Sequence, residues 1–396
     1  MPTPSTRSVP PRRTAPSRQS TRRPLSDLLP PGELADEVAA GHVRRTQHPT
    51  LGLSVYAYTA RCVFAEHWTD VTAWCRGLVV DDTTGEIVAH PFRKFFNADQ
   101  HWAGSPFAPP LSPDEPFAVY DKLDGSLGIV FHFADRWHVA TKSAFTSEQA
   151  VWGQKWLDAR DTSALRPGTT YLAEIIHPGN RIVVDNGDLA GLVLLAAFGP
   201  DGTELPLAQA ASAWATVGGD HAVVRTHTVG SLDELLRLAR DSRGLDGAAL
   251  SGVRAEGWVV RFASGMRVKV KLADYVRLHG AMSRTTERSV WEALFAGVDV
   301  ADLFDRMPDE FRTWILDTAA RLRGAHAERM AGAQATYAEI GPTPDRRTFA
   351  ERVRDPRYAA FKGALFLLLD GRSIDRWAWL AVKPPTGAPF RPAETG

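Results

Sequence analysis

Lysine is scarce in this chain. Eight of its 46 basic residues are lysines, at 94, 122, 142, 155, 269, 271, 362 and 383, and the rest are Arg. Arg stands wherever any cation will do, so each remaining Lys asks for a reason. Cysteine is scarcer still. Cys62 and Cys75 alone exclude a disulfide framework and lack metal-site company. A reducing cytoplasm is the expected compartment. Charge of either sign is not in excess: 46 basic residues meet 46 acidic ones. A polyanion would therefore need a local basic patch. No apolar run approaches the roughly 18 residues that span a bilayer, so no membrane segment is expected. No apolar core follows the N-terminal charges, so no signal peptide is expected either. There is no Gly-Lys-Ser/Thr phosphate loop, which excludes a kinase of that type. His101, His132, His138 and His177 lack metal-ligand spacing and read as structural.

Four stretches divide the chain. Residues 1–25 are rich in Pro, Ser, Thr and Arg and read as a disordered basic tail. Residues 26–280 read as an α+β domain. Within it "CRGLVVDDTTGEIVAHPF" gives strand, turn at 82–85, strand, and "LGIVFHFADRWHVATKSAF" gives a second hairpin turning near 134–136. "TTYLAEII", "GLVLLAAF", "EGWVVRF" and "MRVKVKL" are further strands, and helices are expected near 145–160, 205–215 and 231–242. Strands and helices do not alternate strictly, which points to antiparallel sheets with flanking helices rather than a doubly wound sheet. From 281 to 385 the period turns helical, as in Val290, Trp291, Leu294 and Phe295, or Tyr358, Phe361, Leu365 and Leu368. This reads as a separate all-α domain, followed by a loose tail over 386–396.

One lysine sits in "VYDKLDGSLGIVFHF", between two apolar runs. A lysine amine becomes a nucleophile when it loses its proton, which desolvation and neighbouring cations favour and which Arg does not do. Asp124 lies two residues beyond Lys122, on the same side of an extended chain. Gly125 permits a tight turn or the close approach of a phosphate. Taken alone, these four residues fit a surface Lys–Asp pair better.

Other segments share the pattern. "KLDGS" (122–126), "TYLAEIIHPGNRIVV" (170–184), "EGWVVRF" (256–262) and "VKVKL" (268–272) resemble, in order and spacing, the motifs of the covalent nucleotidyltransferase superfamily. "CRGLVVD" (75–81), "PFRKFFN" (91–97) and "KLADYVRLH" (271–279) narrow the resemblance to the phage T4 RNA ligase 1 family, over roughly residues 50–280. The resemblance implies an ATP-grasp-like adenylyltransferase domain over 26–280. It implies an enzyme that seals RNA 5′-phosphate and 3′-hydroxyl ends with ATP and Mg2+, tRNA being one candidate partner.

The same resemblance implies roles. Lys122 would be the nucleophile, forming lysyl-AMP. Lys269 and Lys271, two apart on a strand and so on one face, would hold the triphosphate and lower the pKa of Lys122. Arg76 and Lys94 would contact the triphosphate, and Lys142 matches a further family lysine. Glu256 would hold a divalent ion. Glu174 would meet the ribose or a metal, and Asp124 the ribose or a metal. Asn180 and Arg181 would bind nucleotide or order their loop. Alternation puts Glu256 on the side of Trp258 and Val260, where a carboxylate needs a cation or a metal. A DNA ligase or capping guanylyltransferase would carry a β-rich domain after residue 280, which the helical pattern disfavours. A non-catalytic RNA-binding module is the reading from another class, disfavoured by the intact Lys122, Glu174, Glu256 and Lys271.

Overall fold

The computed structural model describes residues 22–102, 104–219, 222–298, 300 and 309–385. The expected loose end, 386–396, and most of the expected tail lie outside them. Residues 22–25 of that tail are built into the fold. Arg23 and Leu25 exchange backbone hydrogen bonds with Ile87 and Gly85, and the Arg22 guanidinium donates to the His132 carbonyl.

Thirteen strands are present among the described residues, in three sheets. The first is antiparallel, β1-β2-β3-β4, formed by Val43–Gln47, Leu53–Tyr58, Arg76–Asp81 and Ile87–Ala89. The expected turn at 82–85 joins its last two strands, with Gly85 left-handed. A five-stranded sheet runs β11-β6-β12-β13-β5. Its strands are β5 (Phe96–Asn97), β6 (Phe117–Asp121), β11 (Thr226–His227), β12 (Gly257–Phe262) and β13 (Arg267–Lys271). All its pairs are antiparallel except β13 with β5. The third sheet is β10-β9-β7-β8, formed by Ser126–Phe133 (β7), Arg136–Thr141 (β8), Thr170–Ile176 (β9) and Gly191–Phe198 (β10). Ala134 and Asp135, both at positive φ, make the tight β7–β8 turn.

Helices start where the sequence offers an oxygen to an orphan amide. Thr59 caps α2 (Ala60–Phe64), Thr69 caps α3 (Asp70–Trp74), and Ser147 caps α4 (Glu148–Asp158). α1 (Pro31–Ala39) opens instead on proline, which lacks the N–H that would need a partner. α5 spans Leu207–Gly218 and α6 Leu232–Arg240. α7 (Ala273–Arg284), α8 (Glu287–Phe295), α9 (Asp309–Ile340), α10 (Arg346–Arg352), α11 (Lys362–Leu369) and α12 (Asp375–Ala381) complete the described chain. The expected helix through Tyr358 and Leu368 is two pieces: Pro356–Phe361 is a 3-10 helix, and α11 begins after it. No helix is long and apolar enough to cross a membrane among the described residues.

The described residues fall into two compact units, one from 22–94, 129–172 and 195–217, the other from 95–128, 173–194 and 218–385. Residue 280 is not a seam between these units. In the second unit Val119, Trp258, Val260 and Val268 share one core with Leu278, Trp291, Leu294, Ile315 and Leu322. Helices α7, α8 and α9 thus bury their apolar faces on the sheet of β6, β12 and β13. The helical period marks a change of local structure without marking the end of a core. The first unit has its own core, with Leu34, Val43, Tyr56, Val71, Leu78 and Ile87 inside.

Candidate active site

Register builds the centre of the second unit. β12 lies between β6 and β13, with Trp258 opposite Asp121 on one side and Gly257 opposite Lys271 on the other. Glu256, just before β12, is therefore flanked by Lys122, just after β6, and by the end of β13. The backbone fixes this further: the Lys122 amide donates to the Gly257 carbonyl at 2.9 Å, and the Leu272 amide to the Glu256 carbonyl at 3.0 Å.

The side chains close the arrangement. Lys122 Nζ donates to Glu256 Oε2 at 2.6 Å, and Lys271 Nζ lies 2.8 Å from Glu256 Oε1. Glu256 is only 3% exposed, so one buried carboxylate serves two lysines. Strict alternation would have placed Glu256 in the core with Trp258 and Val260. Gly257, at φ +136, interrupts the alternation, and the carboxylate meets the lysines. A Cβ at 257 would stand 2.2 Å from the Val270 oxygen and 2.9 Å from Lys271 Cα. Gly257→Ala is expected to cost about 3 kcal/mol or more, from overpacking plus a strained φ. Urea unfolding of the variant against the parent measures it, and an unchanged midpoint would contradict this account of the turn.

Asp124, two residues beyond Lys122, is buried. Its Oδ2 accepts from the Val183 and Val184 amides, both at 2.8 Å, and its Oδ1 accepts from the Tyr275 hydroxyl at 2.8 Å. Three protein donors thus occupy the carboxylate that the sequence assigned to ribose or metal; in this structure it ties α7 and the 183–184 loop to the turn carrying Lys122. Burial, then the carboxylates of Glu256 and Asp124, push the Tyr275 hydroxyl well above its ordinary pKa. Tyr275 also carries the Lys271 ammonium over its ring at 5.1 Å and stacks on His279. Tyr275 was missed from the sequence, although it lies four residues after Lys271 in "KLADY".

Gly125 donates its amide to Glu174 Oε1 at 3.1 Å. A Cβ there would stand 2.5 Å from the Ile175 oxygen. Gly125 is thus required by the close approach of β9, whatever else it does. Asn180 orders its loop, donating to the Ile175 carbonyl and accepting from Ser126. Arg181 lies 3.9 Å from Asp185. Lys269 shares the lysine face of β13, where Arg267, Lys269 and Lys271 are half-buried while Val268 and Val270 are buried. Its ammonium stands 5.2 Å over the Phe95 ring, whereas Phe96 is core.

The remaining expected cations lie in the first unit. Lys94 stands 4.8 Å over Trp68, and Lys142 stands 4.6 Å over Tyr58. These two rings pack edge to face at 5.0 Å. Burial, then the nearby charges of Arg76 and Lys142, lower Lys94 to about 8. Between about pH 8 and 10.5 the unfolded chain keeps a proton that folded Lys94 has lost, so stability rises with pH across that window. Below it both states are protonated and the cost of burying the charge is fully present. Lys94→Met is expected to flatten the rise, as read by urea unfolding at about pH 7.5 and 9.5. An equal rise in the variant would assign it to another group.

The chain is similar to known proteins. A protein of Autographa californica nuclear polyhedrosis virus, named as a bifunctional polynucleotide kinase/RNA ligase, is 34% identical over 86 residues, 20% of this chain and 12% of that one. An archaeal ATP-dependent RNA ligase structure aligns with a TM-score of 0.44 and 13% identity, over 75% of this chain and 79% of that one. A Naegleria gruberi RNA ligase variant with ATP and Mn aligns with a TM-score of 0.34 and 19% identity, over 42% of this chain and 53% of that one. The chain thus spans a small part of the viral relative and about half of the Naegleria enzyme. A family model described as RNA ligase, of the T4 RNA ligase 1 type, matches residues 74–275, just over half of the 396-residue chain and the whole Lys122–Glu256–Lys271 centre, and the chain belongs to that RNA ligase family.

Proposed function

We propose that this family member is an ATP-dependent RNA ligase that uses Lys122 as its nucleophile. The observation that carries the reading is one buried carboxylate, Glu256, holding Lys122 and Lys271 at 2.6 and 2.8 Å. For the amine to attack, a proton must leave Nζ, and Glu256 Oε2 is in hydrogen-bond contact to accept it. The amine then bonds to the α-phosphorus of ATP, the bond from that phosphorus to the bridging oxygen breaks, and pyrophosphate departs. Lys271 and Lys269 offset the charge that builds on the phosphates. AMP next passes to a 5′-phosphate of RNA. A 3′-hydroxyl attacks that activated phosphate, AMP leaves, and a phosphodiester forms.

Glu256 and Glu174 are the residues proposed to hold Mg2+. Carboxylate oxygens are the hard donors it prefers, and a carboxylate offers about four acceptor sites, so two lysines on Glu256 leave room for a cation. Bound there, the ion would withdraw charge from the phosphate oxygens. Asp124 is proposed to position the lysine turn, and Tyr275 to hold Asp124. Repair of broken RNA, tRNA among it, is the proposed setting. The free, buried thiols of Cys62 and Cys75 suit the cytoplasm.

The test is sealing of 5′-phosphorylated single-stranded RNA, a nicked RNA duplex and a DNA control with ATP and Mg2+, beside labelling of the protein with α-labelled ATP and GTP. ATP-dependent labelling and RNA joining are expected. Labelling that requires GTP would move the chain to the capping reaction, and joining of DNA alone would overturn the substrate.

A further inference from the structure

A second cluster of chemically active side chains lies in the first unit and takes no part in the proposed ligation. We infer that Glu37, His42 and His67 form a binding site for a divalent transition metal of the zinc class. Glu37 is on α1, His42 immediately precedes β1, and His67 is in the loop between α2 and α3. One ligating atom from each lies within 4.8 Å of the others. Glu37 Oε2 is 2.8 Å from His42 Nδ1, and Glu37 Oε1 is 2.8 Å from His67 Nε2. Two imidazoles and one carboxylate are a donor set that zinc takes, with a fourth position for water. Mg2+ prefers oxygen throughout, so this site is chemically distinct from one that serves ATP.

Each ligand is held before any metal arrives. The His67 carbonyl accepts from Cys62 Sγ and from Thr72 Oγ1, both at 3.0 Å, and Glu66 before it adopts φ +49. The His42 carbonyl accepts the Thr59 amide. Thr69 Oγ1 donates to Glu37 Oε1 at 3.2 Å, the kind of outer contact that orients a ligating carboxylate. The two imidazole rings stack at 4.1 Å with 28° between planes, so both point their nitrogens at one carboxylate. Neutral imidazole is the form that ligates a metal. Around a tetrahedral zinc the ligand atoms stand about 3.3 Å apart, so a small opening of the present contacts admits the ion.

The test uses the full chain, stripped with chelator and free of nucleotide, so it stands apart from the ligase reading. Titration with Zn2+ is expected to give one equivalent bound, and Co2+ to give the visible absorption of a tetrahedral site. His67→Gln and Glu37→Gln should each weaken zinc binding by at least about 100-fold, and zinc should raise the melting temperature of the parent but not of either variant. Lys122→Ala should bind zinc as the parent does. Absence of a stoichiometric zinc complex in the parent, or equal zinc affinity in folded Glu37→Gln, would reduce the cluster to a carboxylate bridging two histidines and overturn the proposal. The Co2+ spectrum of the parent decides the matter even where a variant fails to fold.

Discussion

Lys122→Ala is expected to lose all transfer of AMP from ATP to the protein, a drop of at least about a thousandfold in labelling rate, while the chain stays folded. The fold survives because Glu256 keeps Lys271 as its partner, so no buried charge is stranded. Lys122→Arg should fail equally. Guanidinium restores the positive charge and a hydrogen bond to Glu256, but it does not deprotonate and cannot attack phosphorus. The pair of variants therefore separates the need for a nucleophile from the need for a cation. Labelling with α-labelled ATP, followed by gel separation, reads both. Persistent labelling of Lys122→Ala would place the nucleophile elsewhere.

Glu256→Leu should produce a large loss of stability. The parent carboxylate faces two ammoniums, and its removal leaves them with each other. Breaking a fully buried pair costs about 3–5 kcal/mol. Lys122 and Lys271 are 19% and 25% exposed, so water screens part of the repulsion, and a loss of about 2–4 kcal/mol is expected. Adding Lys271→Met to that variant removes one of the opposed cations and should recover part of the stability without recovering AMP transfer. This non-additivity is the signature of direct coupling. Urea unfolding of the parent, both single variants and the double variant gives the coupling energy. Strict additivity would mean that Glu256 does not mediate between the lysines.

Much of this centre was legible in the sequence because strands have a period of two. The lysine face of β13 followed from the alternation of Lys269 and Lys271 with Val268 and Val270, and the structure has it so. Four strands and the two hairpins were likewise readable from β-branched runs and their turn residues. The orientation of Glu256 was not, because alternation fails at Gly257, and a positive φ leaves no trace in a hydrophobic pattern. The environment of Asp124 was out of reach for another reason. Its donors come from residues 183, 184 and 275, and sequence separation hides such contacts. The same holds for Glu37, His42 and His67, whose 25-residue gap between histidines is not a local spacing. The helical region misled in a different way. Its period announced helices correctly, but only the shared core of Trp258, Leu278 and Trp291 shows what they pack against.

The most direct test of the central claim is to locate the nucleotide on the protein. The full chain is incubated with ATP and Mg2+, digested, and each peptide weighed by mass spectrometry. The account predicts one AMP, acid-labile as a phosphoramidate, on the peptide containing Lys122 and on that residue alone. An adduct on Lys271, Lys269 or Lys94, or an intact protein that never gains the mass of AMP while it joins RNA, would contradict it.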